Sequence, residues 1–289
     1  MFICPKCKSV KLTNTTFQLR CELCGEYYEI KDGIVCFIKE FNEYQNNTIQ
    51  LYEKIHKQFE KNNYGKFIKY MNFGYSKEIN DSEPLFITHA LINQNAIRLF
   101  YKLTRGKSFS GKRILEIGCG RGGNIEFLNK MNEDIQIWGV DLSFRGLSCI
   151  KQRHNINLCV SDINTEFPFC NDFFQDIFCI EVLHNIDDFY NVLKECYRIL
   201  GQGCIYIADV LYDNQWKIFF TIAHSLGYIV QRNEDISNNV VLSNMEVSNN
   251  RISLLGNDSA NMIGSEGSRF FKELENKTLQ YRLVELRKL

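Results

Sequence analysis

The chain has 289 residues, 45% of them hydrophobic, enough for one large domain, or a medium domain with an appendage, around a sizeable core. Lys plus Arg and Asp plus Glu number 34 each, so the basic excess of a nucleic-acid binder is missing and no such partner is expected. No stretch approaches the ~18–20 consecutive apolar residues of a membrane span, and the start Met1-Phe2-Ile3-Cys4 lacks the charged and apolar regions of a secretory leader, which predicts a cytoplasmic protein with reduced thiols.

In chain order, residues 1–40 come first. Cys4-x2-Cys7-x13-Cys21-x2-Cys24 has the spacing of a four-thiolate zinc ribbon. Two knuckles give two sulfurs each, and the chain between them returns to complete a tetrahedron. Cys4, Cys7, Cys21 and Cys24 are the expected ligands of a structural Zn2+. Such a unit is too small for a core of its own and depends on the metal. Cys36 is expected to be a buried apolar residue rather than a fifth ligand. Residues 41–110 read as a helical lead or cap, with Leu51, Ile55, Phe59 and then Leu91, Ile97, Phe100 at helix-compatible spacing. Met71-Asn72-Phe73-Gly74-Tyr75 makes an aromatic turn between them.

From 111 to 289 the pattern alternates strands and helices, the mark of an α/β sheet. Strands are predicted at Arg113–Ile117, Ile135–Val140, Leu158–Val160, Ile177–Ile180, Gly203–Ala208, Tyr228–Arg232 and Thr278–Arg287. Helices are predicted at Asn124–Lys130, Phe144–His154, Phe189–Leu200 (stopped by Gly201-Gln202-Gly203), Gln215–Leu226 and Ser237–Leu255. A cap insert would occupy about 237–277.

The chemistry gathers at strand ends. Gly118, Gly120, Gly122 and Gly123 follow the first of these strands, where a turn into a helix presents backbone N–H groups to a ligand. By itself this loop also fits a dinucleotide site. Three acids discriminate. Glu116 stands two residues before the first glycine, where two phosphates would gain nothing from a carboxylate. Asp141 ends the second strand and can accept ribose hydroxyls. Asp162, in Ser161-Asp162-Ile163, follows the third strand and can take an adenine amino group.

Leu115–Asn124 and Val140–Ser143 resemble motifs I and II of the class I S-adenosylmethionine-dependent methyltransferases. Phe167–Ile177 resembles their "LPF-x-D-x-SFD" segment, Glu181–Ile186 their "E-x-LHH" run, and Leu193–Ile207 their "L-x-E-x-x-RVL-x-PGG" segment. Departures are the order Asn171-Asp172, Gln175 before Asp176, and Gly201-Gln202-Gly203-Cys204 in place of Pro-Gly-Gly; all are loop positions. The resemblance implies a Rossmann-like fold with a seven-stranded mixed sheet, whose antiparallel strand lies near Thr278–Arg287, and S-adenosylmethionine as cofactor. It implies that Glu116, Gly118, Cys119 and Gly120 surround the methionine moiety. Asp141 and Leu142 would hold the ribose and flank the adenine, Asp162 and Ile163 would read the adenine, and Glu181 would face the sulfonium.

The flanks resemble phthiotriol-type small-molecule O-methyltransferases and their natural-product relatives, which methylate hydroxyls of lipophilic metabolites. Asn72–Tyr75 resembles their "N-x-GYW" entry, with Tyr75 over the cofactor. Asp235–Val241 and Gly264–Arg269 resemble later segments. Some of Phe73, Tyr75, Phe219, Phe220, Phe270 and Phe271 would line an apolar acceptor pocket. A hydroxyl acceptor needs a base near neutral pKa, and His184, just after the fourth strand, is the candidate catalytic residue; His89, His154 and His224 are weaker. The alternatives are C- or N-methylation of a metabolite, or a 23S rRNA guanine-N1-type enzyme, whose family also carries a zinc ribbon. Lys6, Lys8, Lys11 and Arg20 make the ribbon locally basic. A ribbon can also serve a carrier or protein partner.

Overall fold

The computed structural model describes residues 1–61, 67–78, 82–90, 93–132, 134–186, 188–255 and 269–289, the side chains of 248–255 excepted. Four short strands open the chain: β1 (Leu12–Asn14), β2 (Gln18–Cys21), β3 (Tyr27–Lys31) and β4 (Ile34–Cys36). In β2 and β3 buried and exposed residues alternate, as in a sheet with one face on a core. Next come α1 (Glu43–Lys61), α2 (Leu85–Thr88) and α3 (Gln94–Thr104).

The alternating part follows: β5 (Arg113–Ile117), α4 (Gly123–Met131), β6 (Gln136–Asp141), α5 (Phe144–Ser148), β7 (Ile156–Val160), β8 (Phe174–Ile180), a 3-10 turn (Leu183–Asn185), α6 (Phe189–Ile199) and β9 (Leu200–Tyr212). The chain ends with α7 (Asp213–Ser225), β10 (Tyr228–Asp235), α8 (Ser237–Leu255), α9 (Arg269–Glu275) and β11 (Leu279–Lys288). Strands β5, β6, β7, β8 and β9 pair in parallel and are buried nearly throughout, because helices cover both faces. Strand β11 runs antiparallel to both β9 and β10.

Among the described residues one continuous sheet holds eleven strands, ordered β1-β2-β3-β4-β7-β6-β5-β8-β9-β11-β10. This corrects the expected seven. Seven come from the alternating region; the other four are the N-terminal strands. Strand β4 joins in parallel to β7 through Val35–Cys159 and Cys36–Val160. Without it β7 would leave a row of unpaired backbone groups at the sheet edge. Cys4, Leu19, Tyr28 and Val35 accordingly share one apolar core with Leu115, Val140, Cys159 and Phe169.

Two further expectations fail locally. The helix from Phe144 ends at Ser148, not His154. Lys151–His154 is exposed and polar, with no apolar stripe to bury, and the chain must turn back toward Ile156. The Gly201-Gln202-Gly203 run does not stop a helix in a loop; it lies inside β9. A Cβ at Gly203 would sit 1.5 Å from the Gln175 carbonyl oxygen, at a register shift between Phe174 and Asp176. There glycine permits a close backbone approach. The segment Gly264–Ser268 lies outside the described residues.

Candidate active site

The parallel pairing of β5 to β9 brings their carboxyl ends into one row, where ligands of open α/β sheets bind. A cavity of about 340 Å3 opens over that row. Among the anticipated residues, Glu116, Gly118, Cys119, Gly120, Asp141, Leu142, Ile163, Glu181 and His184 line it. Asp162 lies buried behind Ile163 and Asn164, which do line it.

The turn after β5 is shaped by its glycines. Gly118 has φ 67°, and a Cβ there would sit 2.3 Å from a Val182 methyl, so both conformation and space require glycine. Asp141 clamps the turn: Oδ2 accepts the Gly120 N–H at 2.8 Å and Oδ1 accepts the Ser143 N–H at 2.8 Å. Glu116 is treated differently. Asn124 Nδ2 donates to its Oε1 at 2.6 Å. Its Oε2 and Asn124 Oδ1 are buried with no hydrogen-bond partner among the described residues. Burial pushes the Glu116 carboxyl up to about 8, against the Asn124 hydrogen bond. Two orphaned acceptors side by side on a cavity wall suit a cationic amino group, as the expected cofactor carries.

At the end of β8, Glu181 adopts φ 55°, a strained conformation for a non-glycine residue at a site. Its Oε1 accepts the Phe73 N–H at 2.7 Å and the Tyr281 hydroxyl at 2.8 Å. Burial raises it to about 7. His184 Nδ1 lies 2.8 Å from Asp209 Oδ1, and Asn185 Nδ2 lies 3.0 Å from His184 Nε2. An amide nitrogen only donates, so Nε2 accepts and Nδ1 carries the proton given to Asp209. Asp209, fully buried in β9, also accepts the N–H groups of Val182 and Leu183 at 2.6 Å each, and that of Val210 at 2.7 Å. Burial works to lower the His184 pKa; the Asp209 charge and hydrogen bond, with Glu181, outweigh it and raise it above its ordinary value.

Asp209 was missed, although it directly follows the predicted strand Gly203–Ala208 as Glu181 follows Ile177–Ile180; the strand runs on to Tyr212, so Asp209 lies inside it. A helical lead or cap was expected over 41–110, but its cavity-lining residues in α1 were not singled out as such. Tyr44, Thr48, Tyr52, Ile55 and His56 of α1 line the cavity roof, with Lys69–Phe73. The Tyr44 hydroxyl donates to the Asn185 carbonyl at 2.8 Å, and Gln45 Nε2 donates to Asp162 Oδ2 at 2.7 Å. His56 Nδ1 faces Arg121 Nη1 at 3.2 Å; burial, then Arg121, lowers the imidazole to about 4, which keeps it a neutral acceptor. Helical periodicity alone does not say which face of α1 meets the sheet.

Tyr75 is a correction. It is buried away from the cavity, its ring under Lys102 Nζ at 5.2 Å and its N–H on the Asn95 carbonyl. Gly74, at φ 81° and tight against Asn95, turns the chain so that Phe73 reaches the cavity instead. Of the other aromatics, Phe219 and Phe220 pack with Trp216, while Phe270 and Phe271 stand behind Phe73.

The sulfurs of Cys4, Cys7, Cys21 and Cys24 lie within 4.8 Å of one another, with Cys4–Cys24 at 3.7 Å and Cys7–Cys21 at 3.5 Å. A tetrahedral Zn–S length of about 2.3 Å implies sulfurs about 3.8 Å apart, so the four thiols fit that ion. Cys36 stands outside the cluster, in β4. Among the described residues no helix is long and apolar enough to cross a membrane.

Residues 115–208 match the Methyltransferase domain family. A phthiotriol/phenolphthiotriol dimycocerosates methyltransferase from Mycobacterium leprae is 27% identical over 233 residues, 76% of this chain and 86% of that protein. A fatty-acid O-methyltransferase from Mycolicibacterium smegmatis is 29% identical over 138 residues, about half the length of each. The fold matches geranyl diphosphate C-methyltransferase from Streptomyces coelicolor at a TM-score of 0.64 and 12% identity, over 86% of this chain and 99% of that one. Motif residues, cavity and relatives agree, and the chain is an S-adenosylmethionine-dependent methyltransferase of class I.

Proposed function

We propose that the chain methylates a hydroxyl oxygen of a small lipophilic metabolite, with His184 as the base. The observation that carries this is the His184–Asp209 pair on the cavity wall, with Nδ1 engaged at 2.8 Å and Nε2 the accepting nitrogen, from which an acceptor hydroxyl would displace the Asn185 amide. The phthiotriol and fatty-acid relatives support a lipophilic acceptor. When bound, the cofactor supplies an already activated methyl group, so the chain's own residues mainly bind, orient and exclude water. Glu116 and Asn124 take its amino group, and Asp141 with Leu142 its ribose. Asp162 with Ile163 takes its adenine, and Glu181 faces its sulfonium. On the acceptor side, Nε2 takes the hydroxyl proton and Asp209 balances the imidazolium that results.

The Cys4, Cys7, Cys21, Cys24 cluster holds a structural zinc in this reading. Two of the ribbon's basic residues are already used internally, Lys6 with Glu26 and Lys8 with Glu166, which speaks against an RNA surface. The test is transfer of labelled methyl to long-chain alcohols, fatty acids and phenols, with total RNA in parallel. Label on an acceptor oxygen is expected. Label on carbon or nitrogen would remove the hydroxyl assignment, and label in RNA alone would overturn the metabolite reading.

A further inference from the structure

We infer that the N-terminal ribbon and the first turn of α1 complete the adenine side of the cofactor site, so that metal held by Cys4, Cys7, Cys21 and Cys24 raises cofactor affinity. The inference rests on the zinc and Asp162 assignments above. The loop Ser161–Asn164 leaves β7 directly after the two residues that pair with β4. On its near side the Phe37 N–H donates to the Val160 carbonyl at 2.9 Å. On its far side the Ile3 N–H donates to the Pro168 carbonyl at 2.9 Å, the Cys170 N–H to the Met1 carbonyl at 3.3 Å, and Lys8 pairs with Glu166. Phe2 stacks on Phe169 at 5.5 Å and meets Phe37 edge-on at 5.2 Å, closing the bracket around the loop.

The carboxylate itself is held by its own loop and by the first turn of α1. Asp162 Oδ1 accepts the Asn164 N–H at 2.9 Å and the Asn164 side-chain amide at 3.2 Å, and Oδ2 accepts Gln45 Nε2 at 2.7 Å. Gln45 is fixed in turn by a reciprocal pair with Asn42. The Gln45 N–H donates to Asn42 Oδ1 at 2.8 Å, and Gln45 Oε1 accepts the Asn42 N–H at 2.9 Å. With Oε1 so occupied, Nε2 is the end that faces Asp162. A carboxylate keeps lone pairs for a further donor, so Gln45 orients Asp162 without filling it. Gln45 is therefore a positioning residue, six residues beyond the Lys39 that ties the ribbon's Glu26. The ribbon shares its core with the catalytic sheet, so loss of the metal is expected to loosen the two cysteine knuckles and, through Met1–Ile3 and Lys8, the bracket around the Ser161–Asn164 loop.

The test measures binding of S-adenosylhomocysteine and of adenosine by calorimetry, with hydrogen exchange over residues 158–170. It uses zinc-loaded protein, protein stripped by chelation with zinc content verified, and Gln45→Ala. Stripping is expected to weaken both ligands about tenfold and to speed exchange in that segment, since binding then has to order the loop. Gln45→Ala is expected to weaken both by the same factor, about fivefold, because it removes the bond that orients Asp162 and leaves the carboxylate itself in place. Unchanged adenosine affinity in verified zinc-free protein would overturn the inference. So would a Gln45→Ala defect for S-adenosylhomocysteine that adenosine does not share. Asp162→Asn separates the readings: if it leaves adenosine binding intact, the adenine assignment of Asp162 is wrong and the inference falls with it. If it weakens binding while stripping and Gln45→Ala do not, only the inference fails.

Discussion

The floor and the roof of the cavity are built on different principles. The floor consists of strand ends, and its aspartates are held by backbone N–H groups. Asp141 takes two and Asp209 takes three, besides the His184 imidazole. The helical part of the roof, α1, is attached through side chains: Tyr44 to the Asn185 carbonyl, Gln45 to Asp162, His56 to Arg121 and Glu60 to Arg145. A carboxylate fixed by a sheet-end backbone has no freedom to move without unfolding a strand. A roof fixed by separate side-chain bonds can be loosened one contact at a time. Floor changes should therefore strike chemistry and folding, and roof changes affinity.

The largest effect is expected at the chemical end of the floor. His184→Ala should lower turnover about 100-fold or more with cofactor affinity intact, read from single-turnover rates and calorimetry. Near-normal turnover would remove His184 from the mechanism. Asp209→Asn comes next. Its amide cannot accept all the N–H groups that the carboxylate serves, so denaturant unfolding should show a loss of about 2–3 kcal/mol. The His184 pKa should fall at the same time, moving the rising limb of the pH–rate profile to lower pH. In the parent enzyme that limb should lie above pH 6.5, because the base form appears only as pH passes the raised pKa.

The two glutamates of the floor predict a third effect. Few donors reach them, and burial raises Glu116 to about 8 and Glu181 to about 7. Both are largely protonated below those values and bind a cation poorly there. Affinity for S-adenosylmethionine should rise from pH 6 to 8.5, with proton release on binding. Glu116→Gln should remove the part of that rise near 8. The linked stability has the opposite sense. Above pH 4.5 these groups ionise in the unfolded chain before the folded one, so the ligand-free protein loses stability as pH climbs toward 8. A thermal scan across that range that stays flat would contradict the assignment. The smallest effect is expected on the roof: Tyr44→Phe deletes one partly exposed hydrogen bond and should raise the acceptor or cofactor KM about two- to fivefold at unchanged kcat. A larger fall in kcat would mean that roof and floor act as one unit.

How far the sequence could be read follows the same division. Strand β5 and the acids Glu116 and Asp141 were legible because each is a local pattern, an apolar run that stops at a charged residue, with a glycine turn after the first; Glu181 came from the resemblance of Glu181–Ile186 to a family motif. The Cys4 set was legible from spacing alone. Asp209 carries no motif of its own, and the predicted strand stops four residues short of Tyr212, so nothing in the sequence sets it beside His184. Tyr75 was misplaced because a motif resemblance does not reveal which side of a glycine turn faces a cavity.

The sequence by itself determined the parallel strand series, the turn that requires Gly118, the row of acids at the strand ends and the four thiols. Each depends on residues close in the chain, whose periodicity and backbone preferences act before any tertiary contact. Only the tertiary structure decided that β4 extends the catalytic sheet to eleven strands, that α1 roofs the cavity, and that His184 meets Asp209. Those contacts join residues such as Gln45 and Asp162, 117 positions apart. They form because an open sheet edge and buried carboxylates each need a partner, and the identity of that partner is settled by how the layers pack.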